Sequence, residues 1–87
     1  MKIYKRDGFI ADFIPSKIGT SIYNCAHELS IPLTEGDVKY ITKCTIHKLN
    51  EMKRDANFTS SYEVKGIVYK VLSENGFKDI AKEYILR

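Results

Sequence analysis

A small set of residues in this chain is spaced so that it could converge on one anion. Lys5 and Arg6 directly precede Asp7-Gly8, a strong hairpin-turn signal, so two cations stand at the tip of a hairpin. Lys17 falls in the first turn of a helix opening at Pro15. A cation there opposes the helix dipole, and an anion bound at the same helix end relieves the conflict. Ser60 and Ser61 open a further helix, whose free N–H groups form a second anion seat. Lys65 follows one turn later. Together these groups could hold a triphosphate, with Ile3, Ile18 and Val64 supplying apolar contact to a base. The same residues also fit ordinary solvated lysines and helix caps, and on residue types alone that is the simpler reading, since three Lys and one Arg in 87 residues need no special cause.

Other chemistry finds little support. The sequence places no paired carboxylates at one site. His27 and His47 fall on different helices without metal-ligand spacing and read as solvated surface residues. There is no nucleophile motif, no Walker A loop and no GxGxxG. Cys25 and Cys44, the two cysteines, lie too far apart for a CxxC pair and read as buried core thiols. No catalytic residue and no metal ligand is assigned, and no enzymatic activity is expected.

The elements that must position the cations come from pattern. The chain has 87 residues, 44% hydrophobic and 29% charged, with 5 Gly and 2 Pro. That is the profile of one globular domain, 1–87. No apolar run has the length to span a bilayer, and the N-terminus lacks the apolar stretch of a signal peptide; the expected location is the cytoplasm. The net charge of +3 suits an anionic ligand but falls short of a dense basic patch for nucleic acid.

Residues 2–13 read as a β-hairpin with Asp7-Gly8 as a two-residue turn, so that Arg6 faces Phe9, Lys5 faces Ile10 and Tyr4 faces Ala11. One face then carries Tyr4, Arg6, Phe9, Ala11 and Phe13, and the other Ile3, Lys5, Ile10 and Asp12. A first helix is expected over 15–29, with Ile18, Ile22, Cys25, Ala26 and Leu29 as its apolar stripe. Gly19 inside it points to close approach of another element or of a ligand. Thr34 caps a second helix over 35–53, with Val38, Ile41, Thr45, Leu49 and Met52 inward; residues 54–57 break the pattern. Ser60 and Glu63 form a capping box opening the third helix, which buries Val64, Ile67, Val68, Val71 and Leu72 and stops at Asn75-Gly76. A fourth helix over 77–86 turns Phe77, Ile80, Ala81, Tyr84 and Ile85 inward. The expected class is α+β, mainly helical, with an N-terminal β-hairpin capping a four-helix bundle.

The stretch Ile3-Tyr4-Lys5-Arg6-Asp7-Gly8, then Phe13, then Lys17-Ile18 resembles the opening of the ATP-cone domain. The similarity continues through Ser60-Ser61 with Val64 and Val68. It ends in Asp79-Ile80-Ala81-Lys82-Glu83-Tyr84-Ile85-Leu86-Arg87, which is similar to the family's closing helix. The resemblance implies a small sheet on a four-helix bundle that binds ATP or dATP and acts as an allosteric switch. Such domains stand at the N-terminus of many ribonucleotide reductases and behind a zinc ribbon in the repressor of reductase genes. By position, Lys5, Arg6 and Lys17 would contact phosphates, Ile3 and Ile18 would line the base and ribose region, and Ser61, Val64 and Lys65 would meet the nucleotide from the third helix. Magnesium would bridge the phosphates.

Departures from the family pattern accompany the match. An acid usual six residues after the first Lys is replaced by Ala11, with Asp12 beside it. The Asn or Asp common after the Phe is Ile14, and some reductase cones carry His where Lys65 stands. The leading expectation is a nucleotide-sensing domain acting on a ribonucleotide reductase, a regulator of one, or a second copy of itself. The alternative, motivated by Ala11 and Ile14, is an interaction module that keeps the fold without useful nucleotide affinity. A nucleic-acid role is disfavoured, because the third helix carries only Lys65 and Lys70.

Overall fold

A computed structural model describes residues 2–5, 7–52 and 58–87. The element order is β1 (Lys2–Tyr4), β2 (Ile10–Asp12), α1 (Pro15–Glu28), α2 (Glu35–Met52), β3 (Phe58–Ser60), α3 (Ser61–Glu74) and α4 (Lys78–Ile85). The expected mainly helical α+β class is observed, with four helices and a small sheet among the described residues. The expected helix end at Lys53 and the break over 54–57 lie outside the described residues, as does Arg6.

The sheet differs from the expected hairpin in two ways. It has three strands in the order β2-β1-β3, and β3 pairs parallel to β1, with Ile3 opposite Thr59. The hairpin register is also shifted by one. Ile3 pairs with Ala11 and Tyr4 with Ile10. The Lys5 N–H donates to Phe9 O (2.8 Å) and the Gly8 N–H to Lys5 O (3.0 Å), so the connection between Lys5 and Phe9 holds three residues rather than two. Gly8 at φ +88° takes the left-handed position that such a loop requires. Because sheet side chains alternate, a slip of one residue exchanges the faces. Ile3, Ala11 and Phe13 are partly buried and Thr59 is buried, while Lys2, Tyr4, Ile10 and Asp12 are exposed. The Lys2 ammonium donates to Asp12 across the β1–β2 pair, and this bond together with the Lys2 charge holds that carboxyl below its usual range.

The helices follow their apolar stripes. All five residues expected inside on α3 are buried, as are Ile18, Ile22, Cys25 and Ala26 on α1, Ile41, Thr45 and Leu49 on α2, and Ile80 and Ala81 on α4. Leu29, Met52 and Ile85 are exposed instead, because each stands at or just past a helix end and overshoots the packed region. Cys44 is only half-buried, since it lies one position beside the line 41-45-49. The Thr45 hydroxyl, fully buried, donates to Ile41 O at 2.9 Å.

Capping fixes where the helices start and stop. Thr34 Oγ1 accepts from the Asp37 N–H (3.0 Å) and Asp37 Oδ2 from the Thr34 N–H (3.2 Å), a reciprocal box that starts α2. Ser60 Oγ accepts from the Glu63 N–H (3.0 Å). Glu63 Oε1 accepts from the Thr59 hydroxyl at 2.7 Å, which ties β3 to the first turn of α3. Gly76 at φ +88° ends α3, with the Phe77 N–H returning to Leu72 O at 2.9 Å. Gly19 marks the crossing of α1 and α2. A Cβ there would meet Val38 Cγ1 at 3.0 Å and Thr42 Oγ1 at 3.4 Å.

Candidate functional site

Two helices begin where the sheet ends, and a cleft of about 570 Å³ lies between them, within the range of small-molecule sites. The sheet and hairpin contribute Ile3, Lys5, Asp7 and Asp12, and the link into α1 contributes Phe13 and Ile14. The α1 helix adds Lys17, Ile18 and Ser21, α3 adds Ser61, Val64 and Lys65, and α4 adds Tyr84.

Chain geometry accounts for this convergence. Pro15 occupies the first turn of α1, where its missing N–H costs nothing, so the helix starts three residues past β2. Ser60 ends β3 and caps α3. The two N-termini are therefore both set by the strands flanking β1, and both open toward the cleft.

The two helix ends differ electrostatically. The α1 N-cap is Ile14, with no side-chain hydrogen bond, and its first turn holds no acid while Lys17 is exposed. Its N–H groups and the Lys17 ammonium present unbalanced positive potential. The α3 end has the Ser60 cap and Glu63, whose carboxylate accepts from Thr59. Asp7 enters the same cleft, and its Oδ1 accepts from the Phe9 N–H at 3.2 Å. Lys5, Lys17 and Lys65 thus face Asp7 and the Lys2-paired Asp12, leaving the cleft positive.

Ile3, Ile18 and Val64 form an apolar wall, with Phe13 and Ile14 beside it. Tyr84 lies among them. Burial raises its phenol pKa above 10.0, the neighbouring Cys25 adds to the rise, and a hydrogen bond with Ser21 opposes both. Lys65 is half-buried, and its ammonium donates to the backbone oxygen of Arg87. The combination of cations, helix N–H groups and an apolar wall can hold an anionic ligand that also carries a flat apolar group.

Of the residues singled out from sequence, Ile3, Lys5, Lys17, Ile18, Ser61, Val64 and Lys65 all line this cleft; Arg6 lies outside the described residues. Sequence reasoning did not select Asp7, Asp12, Phe13, Ile14, Ser21 or Tyr84 for the site. One of them carried a usable signal: Ser21 is one turn after Lys17 on the same face of α1. His27 and His47 lie elsewhere. The His27 ring stacks on Tyr23 with centroids 6.2 Å apart, and His47 Nε2 is 2.7 Å from Glu51. Among the described residues no cluster of His, Cys, Asp or Glu could hold a metal ion, and no helix is long and apolar enough to cross a membrane.

Comparison with curated proteins finds no match. Comparison with protein families finds the ATP cone domain, matched over residues 1–87. Such domains bind nucleotides such as ATP and dATP and regulate rather than catalyse. The match spans the whole chain, and the chain belongs to the ATP-cone domain family.

Proposed function

We propose that the cleft between α1 and α3 is the nucleotide site, and that the chain, a single domain over 1–87, senses ATP or dATP. The observation that carries the proposal is the meeting of two helix N-termini with Lys5, Lys17 and Lys65 around one apolar-walled cleft. Lys5 and Lys17, with Arg6 beside Lys5 in sequence, take the phosphates, and magnesium arriving with the nucleotide would add to the neutralisation of their charge. Lys65 and the Ser61 turn take them from the α3 side. Ile3, Ile18 and Val64 take the base.

The bound nucleotide then shifts the association or activity of a ribonucleotide reductase or a related regulator, or self-association of this chain. A ligand moves such an equilibrium only as far as it binds the states differently. The domain works in the cytoplasm and has no catalytic role. Titration of ATP into the wild type, Lys5→Ala and Lys17→Ala tests the site. The expected result is saturable binding weakened about tenfold by each change, the scale of one charge-assisted hydrogen bond. Equal affinity in all three proteins moves the site elsewhere.

A second reading has one specific ground. Ile14 and Ala11 stand where polar groups near the ribose are usual, and Ile14 lines the cleft. On that reading the chain is an interaction module without useful nucleotide affinity, and it forms a protein complex that ATP does not alter.

A further inference from the structure

The other side of α1 holds a second cavity. It is a groove of about 710 Å³ between α1 and α2, again of small-molecule size. Its floor is the helix crossing, where Gly19 brings the α1 backbone close to Val38 and Thr42. The groove stays open because α1 presents only Ser16, Gly19 and Thr20 there before Tyr23. Helix periodicity separates it from the first cleft. Lys17, Ile18 and Ser21 line the cleft, whereas Ser16, Thr20 and Tyr23 line the groove.

This lining joins charge to an aromatic ring. Lys39 and Lys43 stand one turn apart on α2 and both line the groove. Lys39 lies 3.9 Å from Glu35, which also lines it, and both side chains are exposed, a pairing worth little in water. Among the described residues Lys43 has no ion-pair partner. The exposed Tyr23 ring stacks on His27 one turn further along α1, with the ring planes 13° apart. The Thr20 and Thr42 hydroxyls donate to Ser16 O and Val38 O within their own helices. The strongest donors the groove offers are therefore the two ammonium groups.

We propose that this groove is a second ligand site, for a small aromatic carboxylate. The ring packs on Tyr23 and Val38 over the Gly19 floor, and the carboxylate takes Lys43 and Lys39 by charge-assisted hydrogen bonds. The lining holds one more cation than carboxylates, which matches a single negative charge. A second copy of the chain is a poorer occupant, because isologous pairing through this face puts the same two lysines on both sides of the interface. The inference does not depend on the nucleotide reading.

The test is an amide NMR titration of the 87-residue chain with benzoate, up to about 10 mM, a concentration suited to so small a ligand. Saturable shifts are expected at the amides of Gly19, Thr20, Tyr23, Thr42 and Lys43. Acetate, which lacks the ring, and benzyl alcohol, which lacks the charge, give no saturation there. Lys39→Gln/Lys43→Gln, at two exposed positions, weakens benzoate binding about tenfold, the scale of one charge-assisted hydrogen bond. Thr20→Leu fills the groove without changing its charge and abolishes the shifts.

Benzoate shifts that are absent, or confined to the cleft between α1 and α3, overturn the proposal. So does saturation by acetate alone, or undiminished binding in both variants. Concentration-dependent broadening of these amides without benzoate assigns the face to a second copy and also overturns it. ATP titrated into the same wild-type sample reads the nucleotide site separately, so either site can fail while the other stands.

Discussion

Ile3 stands directly opposite Ala11 in the β1–β2 pair, and both side chains turn to the inner face of the sheet, where Ile3 lines the cleft. Position 11 therefore lies on the same face of the sheet as Ile3. Under the two-residue turn expected from Asp7-Gly8, Ala11 would have faced Tyr4 on the opposite side of the sheet. A longer side chain at 11 would extend from the face of the sheet that carries Ile3.

Ala11→Glu is accordingly expected to sharpen sugar recognition. A carboxylate accepting from the ribose 2′-hydroxyl adds a charged hydrogen bond that deoxyribose cannot make. The ratio of ATP to dATP affinity should rise by about tenfold over the wild-type ratio. Competitive titration of the two nucleotides measures it, and an unchanged ratio would place residue 11 away from the sugar.

Gly19 and Gly66 both lie inside helices and should respond in opposite ways to alanine. Each replacement gains about 1 kcal/mol of helix propensity. At Gly66 a Cβ meets nothing within 4 Å, so the gain should be realised. At Gly19 the Cβ would sit 3.0 Å from Val38 Cγ1, and a β-branched side chain has little rotamer freedom to retreat. Overpacking of this kind costs about 1–3 kcal/mol, so Gly19→Ala should be neutral to destabilising. Urea denaturation of the two variants decides the matter, and equal stabilisation would show that α1 and α2 are not in tight contact.

Ser60→Ala should lower stability by about 1 kcal/mol through loss of the α3 N-cap. Thr59→Val should add to that loss, because the Glu63 carboxylate gives up its Thr59 partner. Thermal unfolding of the single and double variants should show losses that do not simply sum, since both act on one turn. Strict additivity would mean the two contacts are independent.

The phenol of Tyr84 is held above its ordinary value of 10.0, chiefly by burial. Its folded pKa exceeds its unfolded one, so its stability contribution is fully present below about pH 10 and is lost as pH rises through the folded value. Comparison of alkaline absorbance titrations of the wild type and Tyr84→Phe isolates this group, whose ionisation should come later than that of a solvated tyrosine. A difference curve centred at or below 10 would contradict the burial of Tyr84 in the cleft wall.

The helices were legible because their apolar residues repeat at three and four positions, as in 64-67-68-71-72 on α3, and because Ser60, Thr34 and Gly76 announce the ends. The sheet was less so. Phe58-Thr59-Ser60 is too short for an alternation to show, and its partner β1 lies across two intervening helices, so nothing local marks it as a strand. The register slip came from reading Asp7-Gly8 alone, when a glycine in the left-handed conformation serves a three-residue loop equally well. The cleft residues were recognisable where charge conflicted with local structure, as at Lys17 in a helix first turn. Tyr84 and Phe13 were not, because an aromatic side chain that walls a cleft has the same spacing as one that fills a core.

Thermal unfolding of the wild-type chain with and without about 1 mM Mg-ATP, and separately Mg-dATP, tests the nucleotide site most directly. A ligand at 100 times its Kd adds about 2.7 kcal/mol, which raises Tm by several degrees in a domain of this size. A rise of that kind with either nucleotide is the predicted result. An unchanged Tm with both would contradict the account and leave the cleft without its proposed ligand.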